Sequence, residues 1–412
     1  MSSVATNEGT RRERVLSGMR PTGALHLGHY HGALKNWVRL QAAYECFFFV
    51  ADWHALTTHY QDREVIERNV YDMVTDWLAA GIDPEKATIF IQSRLPEHAE
   101  LFTLLAMGTP LAWLERMPTY KDQIEKLKDR DLATYGFLGY PLLQAADILI
   151  YKAGYVPVGE DQVPHVEITR EVARRFNHLY GRAADFDARV AAAVAKLSKD
   201  DARYYDKQRR EYQQSGTPES LAKGEAVLRR AAGSVPSWTE EDGELLLGHL
   251  KGTGKTVLPE PQVLLTEVSK LPGLDGEKMS KSYGNTIFMR EEPAEVERKI
   301  RTMPTDPARV RRTDPGNPLV CPVWQFHQVY SDEPTREWVM KGCTTAGIGC
   351  LECKQPVIDG ILKEQAPWRE RAQAYLANPK RLQWIVEAGT ERARAVARET
   401  MRDVRDAMGL NY

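Results

Sequence analysis

The chain has 412 residues, a formal charge of −2 and five cysteines. That length supports two or three domains with real cores, and near-neutrality leaves any nucleic-acid contact to local basic patches. The cysteines are too few for a disulfide scaffold, and neither a run of about eighteen apolar residues nor a signal-type apolar start is present; the expectation is a soluble, cytoplasmic protein without membrane contact.

"MSSVATNEGTRRER" reads as a flexible start over residues 1–13. "RVLSGM" (14–19) predicts a strand, and "YHGALKNWVRLQ" (30–41) a helix with Leu34, Trp37, Val38 and Gln41 at helical spacing. "CFFFVADW" predicts a second strand in which Cys46 is a small hydrophobe. "REVIERNVYDMVTDWLAAG" predicts a helix closed by Gly81, and "ATIFIQS" a third strand. "PLLQAADILIY" is helical, and "YVPVGEDQ" a strand with its loop. Strands interleaved with helices imply an α/β, Rossmann-like, doubly wound parallel sheet over 14–182. Residues 183–257 turn charged and helical, with Thr217 and Thr239 as caps and Pro218 at a first helical position. Within them "GHLKGTGKT" fails the phosphate-loop spacing, since His249 stands where a glycine is required, and reads as a helix stop. Residues 258–292 return to the first domain, and 293–412 form a helical domain. Its last helix sets Leu382, Ile385, Val396, Val404 and Met408 toward one side. No repeats or low-complexity tracts appear.

"PTGALHLGHYHG" (21–32) sets His26, His29 and His31 among Gly23, Gly28 and Gly32. As a metal site it is poor, because no nearby Cys, Asp or Glu completes three or four ligands. As a phosphate site it is well placed. A strand ends near Gly18 and a helix begins at 26–29, where unbonded N–H groups and the helix dipole favour an anion. Gly28 lets a nucleotide approach the backbone, and His26 and His29 can donate to phosphate oxygens as charge develops.

"GEKMSKSYGN" (276–285) carries Lys278 and Lys281 in a Gly/Ser loop, with Ser280 and Ser282 as small donors. Alone it is an ordinary solvated loop; with "HLGH" in the same chain it can clamp the anionic leaving group of a nucleotide. The pair resembles the two signatures of class I aminoacyl-tRNA synthetases. "SGMRPTGALHLGHYHGALKNW", "FVADWHALTTHY", "PLLQAADILIYKAGYVPVGEDQVPHVEITREVARRFN" and "LPGLDGEKMSKSYGNTI" resemble the bacterial-type tryptophanyl-tRNA synthetases, over residues 14–182 and 258–409. Leu27 replaces the family's usual Ile, a volume-conserving exchange.

The resemblance implies ATP-dependent activation of L-tryptophan to its adenylate, then transfer to tRNA(Trp), with no protein nucleophile. By the same resemblance, His26, His29, Lys278 and Lys281 are catalytic. Arg20, Pro21, Thr22, Gly28 and His29 line the triphosphate, and Gly159, Glu160 and Asp161 hold ribose and adenine. Lys278, Met279, Ser280, Lys281 and Ser282 follow the pyrophosphate, with Mg²⁺ bridging its oxygens. Asp147, which alone would read as a helix-surface acid, accepts the indole N–H. Gln162, His54 and Tyr140 line the tryptophan site, the last two toward its ammonium or carboxylate, and Val156 and Val158 are walls. Leu16 and Gln144 stand where some relatives carry Phe and Met. The same fold serves tyrosine, the alternative substrate.

Cys321, Cys343, Cys350 and Cys353 follow C-x21-C-x6-C-x2-C. Four thiolates suit either a tetrahedral Zn²⁺ or a [4Fe–4S] cluster. Resemblance to a subset of tryptophanyl-tRNA synthetases with a similar series favours the cluster. The C-terminal domain would read the anticodon, with Arg309, Arg311, Arg312, Lys341 and Lys354 as candidate contacts; Arg394 and Arg398 read first as a solvated face. A homodimer follows from the resemblance alone. The rival functions are a tyrosyl enzyme or related nucleotidyltransferase, and a non-catalytic iron–sulfur RNA-binding paralogue. Intact "HLGH" and "KMSKS" stand against the paralogue.

Overall fold

A computed structural model describes residues 12–61, 63–118, 134–182, 185–265 and 271–412. Of the expected flexible start, all but Arg12 and Glu13 lies outside the described residues.

Strands β1 (Arg14–Met19), β2 (Glu45–Val50), β3 (Ala87–Ile91), β4 (Tyr155–Val158) and β5 (Gln262–Leu265) form one sheet in the order 3-2-1-4-5. β1 runs parallel to β2, with Arg14 opposite Glu45 and Met19 opposite Val50, and β2 parallel to β3, with Cys46 opposite Ala87. β2 and β3 are buried almost throughout, which is why their residues are apolar without alternation. Chain order reverses beside β1, the kind of switch point at which doubly wound sheets bind ligands. β5 falls in residues 258–292, the stretch expected to return to the first domain.

The chain gathers into two compact units. One comprises Met1–Arg94, Pro157–Glu160 and Leu264–Arg392, the other Leu95–Val156, Asp161–Val263 and Ala393–Tyr412.

In the first unit the helix starts at Leu27, within the 26–29 stretch expected for the strand-to-helix turn and ahead of the run read from residue 30. It runs from Leu27–His29 through a π-helical turn at Tyr30–Leu34 into Lys35–Leu40. π-turns are rare and recur at functional sites. Trp37 stacks on Phe48, centroids 4.4 Å apart, and meets Trp77 edge-on. The Arg63–Ala80 helix stops at Gly81, whose φ of +115° suits glycine. The final helix, Pro379–Met408, lays Gly389 on β3 so closely that a Cβ there would stand 1.9 Å from the Ile89 carbonyl oxygen. Along it Leu382, Ile385 and Val404 are buried as expected, but Val396 and Met408 are only half-buried. Ala393, Ala397 and Met401 take the inner stripe, which advances by three or four residues and passes beside those two positions.

In the second unit, helices Phe186–Ala195, Lys199–Ser215, Pro218–Ser234 and Glu240–Leu250 close a core of their own around Phe186, Tyr205, Val227, Leu246 and Leu250. Thr239 caps its helix by accepting the Asp242 N–H at 3.2 Å; Thr217 precedes Pro218 but makes no such bond. The glycines of "GHLKGTGKT" serve backbone packing. A Cβ on Gly248 would fall 1.8 Å from the Gly254 carbonyl oxygen, and one on Gly254 equally close to that of Gly181. Among the described residues no helix is long and apolar enough to cross a membrane.

Candidate active site

The two distant signatures meet within the first unit, through the backbone. The Leu27 N–H donates to the Ile287 carbonyl and the Met289 N–H to that of Leu25, both at 2.9 Å, and His26 bridges Phe288 in antiparallel sense. This pairing delivers the 276–285 loop to the start of the "HLGH" helix. Met279 is buried over Gly28, whose added Cβ would stand 3.4 Å from that of Met279. Lys281 reaches Gly23, where a Cβ would be 2.7 Å from Nζ and φ is +137°. Asn285 holds the loop in shape: its Oδ1 accepts the Ser280 N–H at 2.8 Å, and its Nδ2 donates to Asp275 Oδ1 and the Lys278 carbonyl at 2.8 and 3.2 Å.

The His26 and His29 rings lie 3.7 Å apart. The His26 N–H donates to His29 Nδ1 at 3.2 Å, so the neutral His29 ring carries its hydrogen on Nε2. Burial, then Lys281, pushes His26 down to about 4. Burial, then His26 and the two lysines, holds His29 well below the usual imidazole range. At neutral pH both are therefore N–H donors and not cations. The positive charge comes from lysine. Burial lowers Lys281 to about 8, against the pull of Asp76 and Asp72, which raise it. Asp76, itself raised to about 6 by burial, accepts from Arg290 Nε and, at 3.3 Å, from the Leu25 N–H; Arg290 also binds Asp72. Asp72, Asp76, Asn285 and Arg290 escaped the sequence reading. The Gly284–Asn285 pair, a turn signal with a side chain suited to backbone bonds, was the available hint.

The ammonium of Lys281 is its anion-binding form, present below about 8 and lost above it. The kcat/KM for ATP in pyrophosphate exchange is accordingly expected to fall as pH rises through about 8, and Lys281→Arg, always charged, to push that limb upward. An unmoved limb would assign it to another group.

Of the remaining expected residues, Pro21 is buried and Arg20 exposed, joined by a turn in which the Thr22 N–H donates to the Arg20 carbonyl at 2.9 Å. Lys278 is exposed and Ser280 half-buried. Gly159 is half-buried, and exposed Glu160 opens a single 3₁₀ turn, Glu160–Gln162. The side chains of Asp161 and Ser282 lie outside what the structure describes. His54, buried on the Asp52–His59 helix, and Val158 belong to the first unit. Tyr140, Asp147, Val156 and Gln162 belong to the second. Asp147 is no helix-surface acid: it is fully buried on the Tyr140–Ile150 helix, 2.6 Å from His98 Nδ1.

The four C-terminal cysteines are unpaired and gathered in one region, near enough that their charges couple. Cys353 is raised to about 12, by burial first and then by the other three thiols. Four thiols gathered in one place are a donor set whose chemistry fits a shared cation. Among the described residues, however, no three His, Cys, Asp or Glu side chains stand at metal-holding geometry. Two of the expected tRNA contacts are internal. Lys354, 3% exposed, donates to the Arg301 and Met303 carbonyls at 2.8 and 2.5 Å, closing the Pro293–Thr302 helix. Arg309 donates to the Arg312 and Ile348 carbonyls and lies 3.8 Å from Cys343 Sγ. Arg311, Arg312 and Lys341 are exposed. Arg398 pairs with Glu97 at 3.1 Å.

Residues 7–203 and 243–363 match the family model described as tRNA synthetases class I (W and Y). The chain is 68% identical over 400 residues to the tryptophan–tRNA ligase of Ralstonia nicotianae, covering 97% of this chain and 99% of that one. It is 45% identical to that of Thermotoga maritima, covering 97% and 100%. Its fold matches the tryptophanyl-tRNA synthetase of Campylobacter jejuni, solved with ADP and tryptophan, at a TM-score of 0.70 and 28% identity over 96% of this chain and 100% of that one. With "HLGH" and "KMSKS" intact and joined as described, the chain belongs to the bacterial tryptophanyl-tRNA synthetases of class I.

Proposed function

We infer that this chain is a tryptophan–tRNA ligase, activating L-tryptophan with ATP and passing it to tRNA(Trp). The observation that carries the reading is the pairing of residues 25–27 with 287–289, which sets Lys281 against Gly23 and Met279 over Gly28. In the first step the amino-acid carboxylate attacks the α-phosphorus of ATP, an acyl-phosphate bond forms, and the bond to pyrophosphate breaks. The residues needed are donors and charges in place before the reaction. Neutral His26 and His29 donate to the triphosphate beside Arg20, Pro21, Thr22 and Gly28. Lys278 and Lys281, on the loop with Met279, Ser280 and Ser282, follow the charge that leaves with pyrophosphate. Mg²⁺ bound with ATP would supply charge neutralisation at the phosphate oxygens. Gly159, Glu160 and Asp161 hold the nucleoside; Asp147, Gln162, His54, Tyr140, Val156 and Val158 hold tryptophan. Pyrophosphate exchange with tryptophan, tyrosine or neither tests the reading. Exchange that needs tryptophan supports it; tyrosine-dependent exchange, or none, overturns it.

We further read the chain as a catalytic domain (14–182 and 258–292), a helical insertion (183–257) and an anticodon-binding domain (293–412), working in the cytoplasm as a homodimer. Family membership supports these assignments except the insertion, which rests on its own helices and core. Cys321, Cys343, Cys350 and Cys353 would hold a [4Fe–4S] cluster, zinc being the alternative, and the bound group would shape the anticodon-reading surface. Anaerobic preparations are expected to be brown and to contain iron. Cys350→Ser is expected to lower iron content and tRNA charging while leaving pyrophosphate exchange within about threefold. A colourless, zinc-containing protein would refute the cluster, and equal loss of both activities would refute its placement.

A further inference from the structure

We propose that His98 and Tyr151 are positioning residues that orient the Asp147 carboxylate and so set the affinity for tryptophan; the proposal rests on the reading of Asp147 as acceptor of the indole N–H. The three side chains form a buried chain inside one compact unit. His98 Nδ1 lies 2.6 Å from Asp147 Oδ1, and His98 Nε2 lies 2.7 Å from the Tyr151 hydroxyl. All three residues have 0% exposure. They come from two packed helices: His98 from the first turn of Glu97–Gly108, Asp147 from Tyr140–Ile150 and Tyr151 from the residue that ends it.

The direction of the bonds follows from the donors. A carboxylate only accepts, so Nδ1 of His98 carries the hydrogen, and Nε2 is left to face the hydroxyl on the far side. Burial, then Asp147 and Glu97, holds the Tyr151 hydroxyl well above the usual tyrosine range, so it stays protonated and donates to Nε2. A carboxyl group on one Cβ–Cγ bond has a rotation to fix. Tying Oδ1 to a ring that is itself tied at its far side fixes it, and with it the direction in which Oδ2 presents its lone pairs. Sites that recognise one N–H by one buried acceptor depend on this orientation, since misplacement by about 1 Å costs up to roughly 10²-fold. Asp147 and Tyr151 are four apart on one helical face, and the imidazole spans them.

The test uses the full-length enzyme, with steady-state pyrophosphate exchange for KM and kcat. His98→Phe keeps the ring volume and removes both nitrogens; the KM for tryptophan is expected to rise about 5–10-fold, with kcat and the KM for ATP within about threefold. His98→Asn places an amide N–H where Nδ1 was and is expected to recover most of the loss. Tyr151→Phe is expected to raise the KM for tryptophan about threefold, which keeps a readout should His98→Phe fail to fold. Combining His98→Phe with Asp147→Asn is expected to be little worse than Asp147→Asn alone, because the two act through one contact. Equal impairment of tryptophan and ATP use, or no recovery by His98→Asn, would overturn positioning in favour of a packing role. His98→Phe behaving like wild type beside a damaged Asp147→Asn would overturn the proposal alone. An undamaged Asp147→Asn would overturn the reading of Asp147 and the proposal with it.

Discussion

Lys281→Ala is expected to slow tryptophanyl-adenylate formation by about 10²–10³-fold while changing ATP affinity by less than about tenfold. The asymmetry follows from where the charge goes. In bound ATP the negative charge is spread over the triphosphate. As the bond to the α-phosphorus breaks, charge accumulates on the departing pyrophosphate, and a cation aimed at it gains most at that moment. Lys281 is half-buried against Gly23, on a loop fixed by Asn285 and by backbone pairing to the "HLGH" segment. Its ammonium is therefore in place before the reaction and needs little rearrangement during it. The nearby histidines cannot substitute, since burial and the lysines keep them neutral. Rapid chemical quench with saturating tryptophan separates the two effects. A variant with weakened ATP binding and an unchanged chemical step would place Lys281 in ground-state binding instead.

The parts of this site that sequence revealed are those whose signal is local. "CFFFV" and "ATIFI" are continuous apolar runs, and a strand buried on both faces leaves no other mark. Gly28 and His29 fall at a strand-to-helix turn that the glycines and the apolar run before them mark locally. What sequence did not reveal depends on pairs separated by most of a fold. Arg290 meets Asp76 across 214 positions, and neither residue differs in its own neighbourhood from a solvated one. Lys354 and Arg309 show the opposite error. Basic residues near a cysteine series read as a surface for RNA, yet both spend their hydrogen bonds on backbone carbonyls inside the protein. His98 is silent in the same way. A single histidine in "PEHAELF" carries no pattern until the helix beneath it brings Asp147 to Nδ1.

Asp147→Ala is expected to lower kcat/KM for tryptophan by about 10²-fold, with the KM for ATP nearly unchanged. Two costs combine. The substrate's indole N–H enters a desolvated slot and finds no acceptor, which costs about 1–3 kcal/mol. The enzyme also keeps a buried His98 Nδ1–H that has lost its carboxylate, so a measurable drop in melting temperature should accompany the lost activity. Asp147→Asn separates the two. Its amide retains one oxygen of similar shape without the charge, so the loss should shrink to about tenfold, the difference between a charge-assisted and a neutral hydrogen bond. Selectivity against phenylalanine, which has no N–H to satisfy, should fall in the same order, because a pocket rejects such a substrate only through the acceptor it leaves unpaired. Exchange kinetics with tryptophan and phenylalanine, run beside thermal melts of each variant, decide the matter. If both variants melt early yet keep tryptophan kcat/KM and selectivity, Asp147 is a structural partner of His98 and the indole is recognised elsewhere.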